Sequence, residues 1–406
     1  MPVAPSIPGV YVQQPDDGES KVITGVATSI TAFIGRTARG NVNAATTIVD
    51  FGEFEALFGG LERGLPITYA VRDFFVHGGS QAVIVRVIGG DGSTTASRTA
   101  DGPHLASGDV IGTLPARTGL YALESVDLFN LLVIPPDPQL GGDDDMKRIY
   151  QVAATYCASR RAMLIADPLD AWNHAAKRGR FDEIAATDFA IDPIGDRRAV
   201  FSYFPRVILH DPPSGEREGR CSASGIIAGM FAAMDAARGV WKAPAGPEAR
   251  MNGVVRPEHQ LTDVQSGVLE AAGINALRAL SGVGTVIWGS RTLAGADALA
   301  DDYQYVPVRR LTDFIEASVS RGIRFAVFEP NAEPLWSQLR LSIGTFLSDL
   351  ARRGAFSAYD VSCDATTTSA LDIAQGRVNV VVTFAPLEPA ESILLSLSQD
   401  TQPGGD

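Results

Sequence analysis

The stretch "PITYAVRDFFVHGGSQAVIVRVIGG" (residues 66–90) decides the fold class. Ile67, Ala70, Val71, Phe74 and Phe75 recur at three- and four-residue spacing, which predicts an amphipathic helix that Gly78-Gly79 ends. Val83 to Val87 then reads as a strand. Upstream, "ITGVATSITAFIGRTARG" (23–40) places a strand around Ala32-Phe33-Ile34 that stops at Gly35, and "FGEFEALFGG" (51–60) reads as a short helix or turn. Strand, helix and strand in this order are the repeating unit of a parallel sheet.

The alternation continues downstream. "NLLVIPP" (130–136), "RAMLIADP" (161–168), "RVILHDPPSG" (206–215) and "GTVIWGSRTL" (284–293) read as strands. Between them, Met146, Ile149, Tyr150, Ala153 and Cys157 mark a helix over about 144–159, and "SASGIIAGMFAAMDAARG" (222–239) a second one closed by Arg238 and Gly239, with Met230, Phe231 and Met234 as core. Continuous apolar runs imply strands buried on both faces, so residues 23–295 are expected to form an α/β core: a mostly parallel sheet flanked by helices. Residues 91–118, rich in Gly, Ser, Thr and Asp, are expected to be a surface insertion or loop.

From about residue 303 the pattern changes, and 296–390 is expected to form a smaller α+β C-terminal domain. A helix is expected over about 309–321, stopping at Gly322, then a strand in "IRFAVFEPN", which contains Phe325 and Val327. Asn331 is expected to N-cap a further helix with Glu333 and Pro334 in its first turn. Leu335, Leu339, Ile343, Phe346, Leu347 and Leu350 line one face of that helix, and "RVNVVVTF" (377–384) follows as a strand.

Composition narrows the function. The 406 residues are 45% apolar and 20% charged, ordinary for a globular chain, and a formal net charge of −13 without a long Lys/Arg cluster excludes a nucleic-acid binder. Cys157, Cys221 and Cys363 form no C-x-x-C pair, so neither a disulfide framework nor a zinc site is indicated and a reducing compartment fits. No charged segment followed by an apolar stretch opens the chain, and no run approaches the ~18 apolar residues of a membrane helix. Synthesis and folding in the cytoplasm, without membrane insertion, is the expectation. No G-x-S-x-G elbow, Walker loop or complete G-x-G-x-x-G is present, and in "GVGTVI" Ile287 stands where a third glycine belongs, so no catalytic, cofactor-binding or metal residues are assigned. The rival reading is a cytoplasmic α/β hydrolase-like enzyme, for which His210-Asp211 would be half of a triad; Pro212-Pro213 favours a surface turn instead. Asp143 to Asp145 suit a helix N-terminus, and Trp241 and Trp336 suit packing.

Both ends of the chain pose a question of partners. Pro8, Gly9, Val10, Tyr11, Val12 and Gln13 read as a short strand in an arm, residues 1–22, with no strand nearby in sequence to pair with. Residues 391–406 form a second arm around Ile393, Leu394, Leu395, Ser396 and Leu397. Burying Ile393, Leu395 and Leu397 yields roughly 1.5–3 kcal/mol each, whereas fixing about seven residues costs roughly 1–2 kcal/mol apiece. The segment therefore needs ladder hydrogen bonds on an available sheet edge, and Pro386 and Pro389 disfavour a tight hairpin onto residues 378–384. The plainer alternative is a pair of edge strands docked on their own domain.

"PGVYVQQ", "GLYALESVDLFNLLVIPP", "DAARGVWKAPAG", "LTDVQSGVLEAAGINALR", "IWGSRTL", "YVPVRRLTDFIEASV" and "FEPNAEPLWSQLRLSIGTFLSDLARRGAF" together resemble the tail sheath proteins of contractile phage tails and phage-tail-like injection systems. The resemblance spans nearly the whole chain; residues 91–118 have no match in it, nor do the large outer domains of some phage sheaths. It implies a subtilisin-like sheath domain and a helical homopolymer around an inner tube protein, with baseplate and tail terminator proteins as further partners, contracting when triggered. It also implies that both arms add strands to the C-terminal domains of neighbouring copies, with Val378, Val380, Val382, Phe384, Phe325 and Val327 as the acceptor sheet. The helix carrying Glu333, Arg340, Asp349, Arg352 and Arg353 would face the tube.

Overall fold

The computed structural model describes residues 22–90, 104–210, 218–389 and 391. The two arm strands, Pro8–Gln13 and Ile393–Leu397, and Asp211 lie outside them. The chain divides into two compact units, residues 26–315 with 386–391, and residues 22–25 with 316–385.

The larger unit is built on an eight-stranded sheet. In chain order its strands are β1 (Thr31–Gly35), β2 (Ala45–Ile48), β3 (Ala82–Arg86), β4 (Leu131–Val133), β5 (Met163–Ala166) and β6 (Val200–Phe204), then β10 (Asn275–Leu280) and β11 (Gly284–Trp288). They lie in the order β11-β10-β6-β5-β4-β1-β3-β2. Pairing is parallel from β10 through β3, while the edge strands β2 and β11 run antiparallel to their neighbours. A separate antiparallel sheet joins β7 (Val207–His210), β8 (Glu218–Cys221) and β9 (Val254–Pro257).

Successive side chains of the central strands enter opposite cores, as the pleat requires. Ala32, Ile34, Leu132, Leu164 and Ala166 face one layer. Phe33, Leu131, Val133, Met163 and Ile165 face the other. The first layer contains α3 (Ser107–Ile111), α4 (Asp143–Arg160) and α5 (Asp170–Lys177), followed by the single turn α6 (Ile194–Arg197). The second contains α1 (Phe51–Phe58), α2 (Pro66–Val76) and α7 (Ser224–Arg238). α8 (Asp263–Ala271) precedes β10, and α9 (Val306–Gly322) leads out of this unit. A mostly parallel sheet with helices on both faces is the expected α/β core.

Several local expectations are corrected. "RVILHDPPSG" does form a strand, β7, but in the small antiparallel sheet; the central position belongs to β6. Residues 104–118 are not simply loop: Leu105 and Val110 are buried and anchor α3, and the Asp109 carboxylate accepts the Ala106 N–H at 2.8 Å. Gly112 makes this possible, because a Cβ there would lie 2.0 Å from the Thr118 carbonyl. Asp143 and Asp145 have specific partners beyond the helix dipole. Asp143 accepts the N–H groups of Asp170 and Ala171 at 2.7 and 2.8 Å, capping α5, and Asp145 accepts that of Gly141 at 2.8 Å. Met230 and Phe231 are core, whereas Met234 is half-buried.

The smaller unit consists of α10 (Glu333–Arg352), the short α11 (Ala370–Ala374), and a two-stranded sheet of β12 (Phe356–Ser362) and β13 (Val381–Pro386) at its boundary. Its core gathers Leu335, Trp336, Leu339 and Cys363, with Ile323, Phe325, Ala326, Val378 and Val380 packed against them. "IRFAVFEPN" is therefore not a strand. Ile323, Phe325 and Ala326, all partly buried, pack against this core from a 3₁₀ turn over Arg324–Ala326. Nor is Asn331 the N-cap. That position is Ala332, and the Asn331 amide instead accepts from Trp336 Nε1 at 2.9 Å and donates to the Arg377 carbonyl at 2.8 Å.

Candidate assembly surface

The two-stranded sheet is the feature of the smaller unit that a fold on its own leaves unfinished. Phe356 anchors β12 beneath Phe384 of β13, ring centroids 5.7 Å apart, while Ser357 to Asp360 are exposed. Upstream of β13, Asn379 is held by Thr368 and Thr367: its N–H donates to Thr368 Oγ1 and its Nδ2 to the Thr367 carbonyl, both at 3.0 Å. Among the described residues neither outer edge has a strand partner. Tyr359 and Val381 remain 38% and 47% exposed. Two strands alone are marginal in water, and unpaired edges invite another strand.

The expected acceptor residues divide into groups. Val382 and Phe384 lie in β13; Val378 and Val380 precede it and pack into the core cluster. Phe325 sits in the 3₁₀ turn and Val327 is exposed beyond it, so neither belongs to the sheet. Sequence reading missed β12, which is the strand that pairs with β13. Its signal was weak, because "FSAYDVS" buries only Phe356.

On α10, the residues named for tube contact play different parts. Arg340 is turned back onto its own unit: it donates to Glu333 Oε1 at 2.5 Å, to Ser337 Oγ at 2.9 Å and to the Cys363 carbonyl. The Arg340 hydrogen bond holds the Glu333 carboxyl below its ordinary range. Asp349 and Arg352 pair at 3.2 Å on the surface, and Arg353 caps the helix end. The exposed stripe runs through Ser337, Leu341, Thr345, Asp349 and Arg352, and Leu341, 72% exposed, is its large apolar member. Phe328 is likewise fully exposed, on a backbone with φ of 71° that non-glycine residues seldom adopt. Trp336 is a packing residue, as expected.

The larger unit carries a cavity of about 520 Å³ at the carboxyl ends of β4 and β5, beside the point where β1 and β4 depart in opposite directions, the usual ligand crevice of such sheets. At its wall Ser224 Oγ donates to Asp167 Oδ2 at 2.7 Å. No imidazole joins them: His77 is bonded to the Asp73 and Asn252 carbonyls and His259 to Asn173. His210 is exposed at the end of β7, opposite Glu218. No group of three metal-ligating side chains occurs among the described residues.

Asp167 yields a stability prediction. Burial pushes its carboxyl up from 3.8 to about 6, with Ser224 and Arg206 opposing without cancelling. A carboxyl raised in the folded state contributes stability that is complete below about 3.8 and lost as pH rises through about 6. By pH 7 that loss is on the order of 3 kcal/mol. Asp167→Asn, neutral throughout and still able to accept from Ser224, should raise the denaturation midpoint at pH 8 and change it little near pH 3. Equal effects at both pH values would refute this account.

An α/β core is thus followed by a small unit whose two-stranded sheet has no partner at its outer edges among the described residues. Residues 300–399 match the family model for the phage tail sheath C-terminal domain. The putative prophage major tail sheath protein of Pseudomonas aeruginosa (strain UCBPP-PA14) is 27% identical over 329 residues, 78% of this chain and 77% of that protein. The tail sheath protein of Enterobacteria phage T4 is 28% identical over 170 residues, 41% of this chain and 25% of that longer protein. Among solved structures, the anti-feeding prophage helical sheath in its contracted state aligns with a TM-score of 0.73 at 26% identity, covering 98% of this chain and 100% of that one. The PVC sheath complex, an extracellular contractile injection system in its contracted state, shares the fold with a TM-score of 0.70 at 24% identity, covering 98% and 99%.

Proposed function

We propose that this chain polymerises helically around an inner tube and contracts to drive that tube through a target envelope, its copies held together by exchanged strands. The observation that carries the reading is the β12–β13 sheet, whose outer edges have no partner among the described residues while Tyr359 and Val381 stay exposed. A strand from a neighbouring copy satisfies those backbone groups, and the arms at residues 1–22 and 391–406 have the composition to supply it. Sliding rigid bodies past one another without disassembly needs tethers that persist while side-chain contacts change, and exchanged strands are such tethers. The exposed stripe of α10, centred on Leu341, is the surface we assign to the tube.

Baseplate and terminator proteins would cap the two ends of such a polymer, and assembly would take place in the bacterial cytoplasm. Purified full-length chain, viewed by negative-stain electron microscopy alone and with the tube protein, should form long hollow cylinders. Persistent monomers in both preparations would overturn the reading.

A further inference from the structure

Arg291 lies in the strand-like segment after β11 and is 7% exposed. Its backbone is fixed by the buried Asn275, which accepts the Arg291 N–H at 2.6 Å and donates to the Arg291 carbonyl at 2.8 Å. One edge of the guanidinium is bound to the core: Nη1 donates to Asp297 Oδ1 at 2.5 Å, the Gly295 carbonyl at 2.9 Å and the Glu270 carbonyl at 3.0 Å. The other edge receives a residue 100 positions away. Nε and Nη2 donate to the two carboxylate oxygens of Glu391 at 2.7 and 2.5 Å, a bidentate fork.

The groups around this fork are Glu270, Asp297, Glu388 and Tyr305. Burial, then the nearby Glu391 charge, raises the Glu270 carboxyl, and the same two causes push the Tyr305 hydroxyl up to about 12. Glu391 thus enters a site already crowded with acidic groups, where a single buried cation gives it a specific seat. Pro386 and Pro389 stiffen the approach, and residues 392–406 follow.

We propose that Arg291 and Glu391 form a clamp that fixes the root of the C-terminal arm on the parent core. The inference rests on the strand-donor reading for the arm's role but not for the clamp's existence. The clamp defines where the arm leaves the body: the connector up to Glu391 stays with its own chain, and only residues beyond it are free to reach a second copy. A fixed exit point restricts which neighbour the arm meets, and it transmits pull on the arm directly to the core.

Hydrogen exchange in the unassembled full-length chain tests the clamp. Glu391→Ala should raise exchange of the 387–391 amides at least tenfold and leave peptides around β6 and β10 unchanged, since Arg291 keeps Asp297 and its carbonyl partners. Arg291→Lys, which retains charge but loses the fork, should loosen the same amides. Unchanged exchange in Glu391→Ala would overturn the clamp. Deleting residues 392–406 separates the two ideas: the clamp requires protection of 387–391 to survive the deletion, and its loss there would also overturn the clamp. If protection survives and sheaths still assemble, strand donation fails and the clamp stands.

Discussion

Deleting residues 392–406 should leave a folded chain that no longer builds sheaths, and deleting residues 1–21 should do the same. The cores of both units are formed by residues 22–391, so circular dichroism and the thermal midpoint of the unassembled chain should change little. The edges of β12 and β13, however, would stay open. A third strand of about five residues adds ladder hydrogen bonds of roughly 0.5–1.5 kcal/mol each and buries apolar side chains of the arm at roughly 1.5–3 kcal/mol each. Against that stands an ordering cost of roughly 1–2 kcal/mol per residue, so each junction is close to balance. A polymer makes the same junction at every subunit, and small gains accumulate along it. Removing the donor should therefore abolish cylinders in electron micrographs rather than shorten them. Normal sheaths from either truncated chain would refute strand exchange as the tether.

Much of this architecture was legible in the residues themselves, for physical reasons that can be named. The continuous apolar runs at 131–133 and 163–166 could only be strands buried on both faces, and the structure places them at the centre of the sheet. α10 was legible because its apolar residues hold helical spacing across its whole length. β6 was hidden because Arg197-Arg198 precedes it and Ser202 interrupts it, although Ser202 is fully buried in the sheet. "IRFAVF" misled because alternation in so short a run cannot be told from a 3₁₀ turn packed on one side. Of the candidate site, the helix was legible and the roles along it were not. Whether Arg340 reaches outward or folds onto Glu333 and Cys363 depends on a carbonyl brought near by the chain's return, which no local pattern encodes. The Arg291–Glu391 fork is invisible for the same reason.

The close approach of α7 to α2 provides the second large effect, and one where local preference and tertiary packing predict opposite signs. In "SGIIAGMF" (224–231), Gly225 and Gly229 lie four residues apart and so share one face of α7. A Cβ at Gly225 would stand 2.2 Å from the Ala70 carbonyl oxygen and 2.6 Å from Ala70 Cα; at Gly229 it would stand 2.4 Å from the Phe74 carbonyl oxygen. These are backbone atoms of α2, so no rotamer change relieves the contact. Helix propensity alone favours Gly→Ala by about 1 kcal/mol. Forcing the helices apart should cost about 3 kcal/mol, the upper end of the usual overpacking range, and open the layer that holds Phe33, Phe74 and Phe231. Gly225→Ala is therefore expected to destabilise the unassembled chain by about 2 kcal/mol net, and Gly225→Val by more. Gly267 in α8 is the control, because a Cβ there meets nothing within 4 Å. Gly267→Ala should stabilise by roughly 0.5–1 kcal/mol in the same denaturant titration. If both alanine variants shifted the midpoint in the same direction, the close helix contact could not be what requires glycine at 225.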